Sequence, residues 1–244
     1  MQATMRAEPA FNIYYLSESA VTIVFGKEIS EATLQRINNF NRALIEDPFP
    51  GFRTSVPAYV TLSVFFDPLQ VIASKELTGA DCYEKVKVFL EKLQENEVYV
   101  TTSKIDTLTI PVCYGEGFGP DLDEVARVNN LTTQEVIDLH SNAVYKVYMI
   151  GFVPGFAYLG GMDGRIATPR KPTPRKAVAA GAVGIAGEQT GIYPLETPGG
   201  WQIIGQTPLK MFDAGRTQPA LLKAGDSVVF KPITKQEFDA LLNG

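Results

Sequence analysis

The apolar positions of the chain switch between two periods. Phe11–Leu16 and Val21–Phe25 are short apolar runs split by Ser17-Glu18-Ser19, the pattern of a strand pair or hairpin. From Ser30 the spacing becomes helical. Leu34, Ile37, Phe40 and Leu44 recur every three or four residues, and Ser30 stands where a cap belongs. Pro48 and Pro50 end that helix, since neither can continue it. Thr54–Val56 and Tyr59–Phe66 are β-rich, and the second run is apolar enough for a central rather than an edge strand. Asp67-Pro68-Leu69 closes it. Cys82, Val86, Phe89 and Leu93 then mark the buried face of a helix over residues 80–96, with Lys85, Lys87, Glu91 and Lys92 toward water. Strand, strand, helix, strand, strand, helix predicts a small α+β sandwich over residues 1–100.

A polar break at Thr101-Thr102-Ser103 marks a domain boundary, and the pattern changes after it. Leu108–Tyr114 reads as a strand, and Gly115-Glu-Gly-Phe-Gly-Pro120 as a loop. That loop is not a phosphate loop, because no Gly-Lys-Ser/Thr follows. Asp121–Asn129 and Thr133–His140 are short helices, with Thr132 or Thr133 as cap and Glu135 in the first turn of the second. Tyr145–Ile150, Leu209–Phe212 and Ser227–Lys231 read as strands, Ala224-Gly225-Asp226 as a turn, and Thr234–Leu242 as a closing helix. Between them, 12 of the chain's 21 glycines fall from Gly151 to Gly205. Gly and Pro at that density exclude helix, and the aromatic content excludes a disordered linker. Short strands joined by tight turns remain, so residues 101–244 are expected to form a closed or nearly closed β-barrel.

Charge and cysteine content narrow the function. The net charge of −5 argues against a general nucleic-acid binder, which needs a positive surface. Cys82 and Cys113 are the only cysteines and are expected as free thiols in a reducing compartment. The first residues lack the apolar core of a signal peptide, and no run approaches a membrane span, so a cytoplasmic location is expected.

Candidate chemistry concentrates in one stretch. Between Gly164 and Gly187 there is no acidic residue, yet Arg165, Arg170, Lys171, Arg175 and Lys176 all fall there. Pro169, Pro172 and Pro174 stiffen the backbone around Arg170 and Arg175. A stiff loop bearing planar guanidinium forks is suited to a small carboxylate or phosphoryl group. The bland alternative is an exposed basic loop with no ligand. Gln189 and Tyr193 donate and accept hydrogen bonds, and the Gly199-Gly200 turn beside Trp201, the chain's only tryptophan, lets a ligand approach. Against this, Tyr193 and Trp201 are equally readable as core aromatics, and for the tryptophan packing is the better reading. Phe152, Phe156 and Tyr158 line either a pocket or the barrel core. His140, the sole histidine, is a general-base candidate only if a partner lies within hydrogen-bond reach; a structural role is the commoner case. No zinc spacing, nucleophile elbow or Walker motif is present, and Cys113 on a strand reads as buried rather than nucleophilic.

Four motifs then carry a resemblance: Gly151-Phe-Val-Pro-Gly-Phe-Ala-Tyr-Leu-Gly-Gly, Ala167-Thr-Pro-Arg-Lys-Pro-Thr-Pro-Arg, Gly184-Ile-Ala-Gly-Glu-Gln-Thr-Gly-Ile-Tyr-Pro and Thr197-Pro-Gly-Gly-Trp-Gln-Ile-Ile-Gly-Gln-Thr-Pro. Together they resemble the B-subunit of bacterial ATP-dependent 5-oxoprolinase, a family also called allophanate hydrolase subunit 1 or the sporulation-kinase inhibitor family. Nearly the whole chain fits, the N-terminal third less tightly: where many relatives have Gly-Asp-x-Ala, this chain has Ser17-Glu-Ser-Ala. The resemblance implies an N-terminal α+β domain, a C-terminal cyclophilin-like β-barrel, a carboxyltransferase-like partner (the C-subunit) and a third 5-oxoprolinase subunit. It implies ATP as cosubstrate of the complex, and opening of the 5-oxoproline lactam to glutamate. It places Arg170, Arg175 and His140 as catalytic residues, Gln189, Tyr193 and Trp201 at the substrate, and Phe152, Phe156 and Tyr158 as pocket walls. Three other readings stay open: an inhibitor that binds a sensor histidine kinase, a part in urea or allophanate metabolism, and a prolyl isomerase suggested by the barrel alone.

Overall fold

A computed structural model describes residues 11–95 and 107–243. The chain divides into two compact units, Met1–Ser103 and Lys104–Gly244; the boundary expected at Thr101-Thr102-Ser103 lies outside the described residues.

The first unit is a four-stranded antiparallel sheet with helices. Its elements are β1 (Asn12–Ser17), β2 (Ala20–Val24), α1 (Glu31–Glu46), β3 (Phe52–Pro57), β4 (Thr61–Phe66), α2 (Pro68–Ala73) and α3 (Cys82–Glu95). Spatial order is β1-β2-β4-β3, so the strand expected to be central is central. Ser30 caps α1, its side chain accepting from the Thr33 amide, and Leu34, Ile37, Phe40 and Leu44 are buried. Ile37, Phe40 and Leu44 meet Val21, Ile23, Leu62 and Val64 of the sheet in one core. Two details differ from the periodicity. Asp67-Pro68 ends β4 but also starts α2, because the Asp67 carboxylate accepts from the amides of Leu69 and Gln70. Lys85, expected in water, turns back and donates to the carbonyls of Ile72 and Ser74, satisfying the end of α2.

The second unit is a closed seven-stranded barrel. In chain order it comprises β5 (Thr107–Tyr114), α4 (Leu122–Val128), α5 (Thr133–Ser141), β6 (Val144–Ile150), β7 (Ala157–Gly160), a 3₁₀ turn (Gly164–Ile166), β8 (Arg175–Val178), β9 (Ala182–Ala186), β10 (Gln189–Ile192), β11 (Thr197–Gly199), β12 (Gln202–Gln206), β13 (Ser227–Pro232) and α6 (Lys235–Asn243). The barrel runs β10-β7-β6-β13-β5-β12-β9, and β8 and β11 form a separate pair. Alternation along the strands sends Ile110, Val112, Val147, Leu159, Val183, Ile185, Ile192 and Ile204 into one core, shared with Val125 and Val136 of α4 and α5. Thr132 and Glu135 cap α5 reciprocally. The expected strand Leu209–Phe212 is not formed. That segment folds back on itself, with the Leu221 amide on the Met211 carbonyl and the Asp213 amide on the Pro219 carbonyl, and keeps a single bridge, Phe212 to Ala220. Among the described residues, no helix is long and apolar enough to cross a membrane.

Candidate functional site

The site is built on the outer wall of the barrel. Residues alternate across a sheet, so those not directed inward at Val183, Ile185 and Ile192 face out. Cross-strand pairing aligns Tyr158 of β7 with Gly191 of β10, Gly191 with Gly184 of β9, and Gly184 with Ile203 of β12. The two glycines in the middle of that row make a hollow. A Cβ at Gly191 would lie 3.1 Å from both Phe156 Cζ and Trp201 Cζ3, and one at Gly184 3.1 Å from Trp201 Cβ. Aromatic rings fill the hollow in tilted and edge-on contacts. Phe156 has its centroid 4.8 Å from Tyr158, 5.2 Å from Tyr193 and 5.4 Å from Trp201. With Val178, Ala182 and Ala186 these rings form a second apolar cluster, separate from the barrel interior. The Trp201 amide is hydrogen-bonded to the Tyr193 hydroxyl; burial nevertheless pushes that phenol up from its ordinary pKa.

Over this wall lies the proline-braced loop. The Arg170 guanidinium sits 5.9 Å from the Trp201 ring centroid, within cation–π range. Its charge also acts on the Tyr158 and Tyr193 hydroxyls, opposing the upward push of burial on each. Arg170 itself is exposed, while Trp201 is 5% exposed. The backbone on either side is tied down: Gln202 donates to the Pro169 carbonyl at 3.0 Å, and the Lys171 amide donates to the Gly200 carbonyl at 2.7 Å.

Arg175 has a different fate. With Lys171 it converges on one carboxylate oxygen of Asp121, at 2.7 and 2.8 Å. The other oxygen accepts from the Ile203 amide at 2.7 Å, and the Asp121 side chain is only 4% exposed. Burial alone would push the Asp121 carboxyl up, but the hydrogen bonds from Arg175, Lys171 and Ile203 together hold it below the usual carboxylate range.

His140 lies elsewhere. It is fully buried against the inner face of the barrel, stacked on Phe230 at 4.5 Å. The Tyr114 hydroxyl is 2.7 Å from Nδ1, and the Thr190 hydroxyl is 2.9 Å from Nε2. Thr190 spends its own hydroxyl hydrogen on the Gly184 carbonyl, so its oxygen accepts from Nε2–H and Nδ1 accepts from Tyr114. The ring is thus a neutral tautomer fixed from both sides, and burial pushes its pKa down to about 3.

Comparisons with known proteins agree with this architecture. The family described as carboxyltransferase domain, subdomain C and D, matches residues 11–222. A relative from Bacillus subtilis (strain 168), the B-subunit of 5-oxoprolinase, is 47% identical over 232 residues, 94% of this chain and 96% of that one. The chain belongs to the 5-oxoprolinase B-subunit family. The protein of the same name from Escherichia coli O157:H7 is 38% identical over 219 residues, 90% of this chain and 94% of that one. Among solved structures, TTHA0988 superposes with a TM-score of 0.75 at 35% identity, over 88% of this chain; this chain spans 40% of that one.

In this member of the 5-oxoprolinase B-subunit family, Arg170, Phe156, Tyr158, Tyr193 and Trp201 come together. Trp201 and Tyr193 are packed, as the bland reading held, yet they pack beneath a guanidinium rather than inside the barrel. Gln189 opens β10 opposite Ala186, on the same face as Gly191 and two residues from it. Three expectations need correction. His140 is not at the site, because the barrel wall encloses it and both ring nitrogens are engaged. Arg175 does not act with Arg170 as a pair of unneutralised forks, because Asp121 holds its charge. Phe152 is not a pocket wall: it is 63% exposed at the bend before β7, in the left-handed region at φ 69°, with its ring edge-on to Phe156. Sequence reading missed Asp121. The signal was available, since a basic stretch with no acidic residue from Gly164 to Gly187 needs its counter-charge from far along the chain.

Proposed function

We propose that this chain is one subunit of an ATP-dependent 5-oxoprolinase, which opens the lactam ring of 5-oxo-L-proline to L-glutamate together with a carboxyltransferase-like partner and a third subunit. The supporting observation is an exposed guanidinium, Arg170, held over a wall of aromatic rings. In this reading Arg170 takes the substrate carboxylate, whose two oxygens match two parallel N–H donors. The rings of Trp201 and Tyr158 shelter one face of the small lactam ring, and Gln189 offers an amide at the far end of the same wall. Ring opening breaks the carbonyl–nitrogen bond: water supplies the new hydroxyl at the carbonyl carbon, and the nitrogen leaves as an amine after taking a proton. Free thiols at Cys82 and Cys113 accord with a cytoplasmic complex.

ATP is the cosubstrate of the complex in this reading, and the glycine-rich loop of this chain does not fit it. The amides of Gly115, Phe118 and Gly119 are already spent on the carbonyls of Ile204 and Gly115. Glu116 lies in the loop, and Asp123 and Glu124 occupy the first turn of α4 beyond it. A triphosphate would meet carboxylates there rather than amides.

The test is the reconstituted three-subunit complex with Arg170→Ala. Losing one charged hydrogen-bonded contact should lower kcat/KM about tenfold to a hundredfold, mainly through KM, with partial recovery in Arg170→Lys. Unchanged lactam opening would remove Arg170 from the site. A wild-type complex that leaves 5-oxoproline intact would remove the reaction itself.

A further inference from the structure

We infer that Asp121 is a positioning residue for Arg170: its buried carboxylate fastens the proline-braced loop to the strand that follows Trp201, and so fixes the guanidinium over the indole. The inference rests on the site proposed above, but its first readout does not depend on the identity of the substrate.

Asp121 forgoes the usual work of its position. It stands before α4, where an aspartate ordinarily accepts hydrogen bonds from the first helical amides, yet its side chain makes no such bond. Both oxygens turn the other way. Oδ1 binds Lys171 and Arg175, which flank Pro172-Thr173-Pro174, and Oδ2 binds the Ile203 amide near the start of β12. The Asp121 amide also donates to the Ile203 carbonyl at 2.8 Å, so residue and strand are joined twice.

Arg170 lies immediately before Lys171. Its backbone is gripped by Gln202 on one side and by Gly200 on the other, both next to Trp201. Asp121 adds the side-chain tie that keeps Lys171 on that segment. Burying a carboxylate with two cations rarely stabilises more than a well-packed apolar cluster would, so its benefit here is geometric: one loop conformation out of many.

The chain's sole tryptophan makes this measurable, because Trp201 emission reports directly on the group above it. Arg170→Ala should change the emission maximum and raise quenching by acrylamide. Asp121→Asn, close in shape but uncharged, should reproduce that change, and the double variant should match Arg170→Ala alone rather than sum the two effects. Lys171→Met removes one tie while leaving Asp121 its other partners, and should shift the emission in the same direction if Asp121→Asn fails to fold. In the reconstituted complex, Asp121→Asn should raise KM for 5-oxoproline with little change in kcat, and Asp121→Glu should recover part of the loss. Wild-type emission and quenching in folded Asp121→Asn or in Lys171→Met, or additive effects in the double variant, would overturn the inference. Altered emission in a complex that does not act on 5-oxoproline would uphold the positioning role and reject only the substrate.

Discussion

Two arginines five residues apart, in nearly the same sequence context, end in opposite electrostatic states. Arg175 gives its charge to Asp121, while Arg170 keeps its charge at the surface over an indole. Composition cannot separate them, because the deciding residue lies far back along the chain. The same distance hides the role of Gly191 and Gly184, which read as turn or strand glycines but are where two rings approach the backbone. Gly191→Val should therefore displace Phe156 and Trp201 without touching the barrel interior. Overpacking of this kind costs about 1–3 kcal/mol. Denaturant unfolding should show that loss together with altered Trp201 emission; a variant as stable as wild type with unchanged emission would mean that the rings do not lie against the strand.

At the scale of elements, most of the fold was legible. Helical spacing placed α1 and α3, the Ser30 and Thr132 caps located helix starts, and the glycine density from Gly151 to Gly205 marked the barrel strands. Leu209–Phe212 was misread for a physical reason. It has the composition of a strand but no free barrel edge to join, because the seven strands already close on themselves. Which face of a strand an aromatic occupies was equally illegible, since Ala, Gly and aromatic residues alternate on the outer wall where polar residues are usual. The bend at Phe152 belongs to this scale too. A bulky side chain in the left-handed region costs about 1–3 kcal/mol, a strain that such sites keep for a purpose. Phe152→Gly should relieve it and hold or raise the thermal midpoint, while weakening whatever that exposed ring contacts in the assembled complex. A lower midpoint would show that the ring's packing on Phe156 outweighs the strain.

At the scale of the whole molecule, the barrel encloses one titratable switch that is not catalytic. His140 is neutral when folded, with a pKa of about 3, while in the unfolded chain it titrates near 6.5. Below pH 6.5 the unfolded chain binds a proton that the folded chain refuses. Stability is thus full above that pH and declines as pH falls toward 3, at up to ~1.4 kcal/mol per pH unit. Urea unfolding at pH 7 and pH 5 should therefore show about 2 kcal/mol more loss in wild type than in His140→Gln, which cannot titrate. Equal losses would mean that the imidazole is not held neutral in the barrel.

The family assignment, the aromatic wall and the tethered loop converge on one exposed guanidinium that selects a carboxylate. Calorimetric binding of 5-oxo-L-proline and of pyrrolidin-2-one, the same lactam without its carboxylate, to the reconstituted complex tests this most directly. Wild type should prefer the acid by about tenfold or more, the worth of a charged hydrogen bond, and Arg170→Met should bind the two alike. A wild-type complex that does not distinguish them, or an Arg170→Met complex that still does, would contradict it.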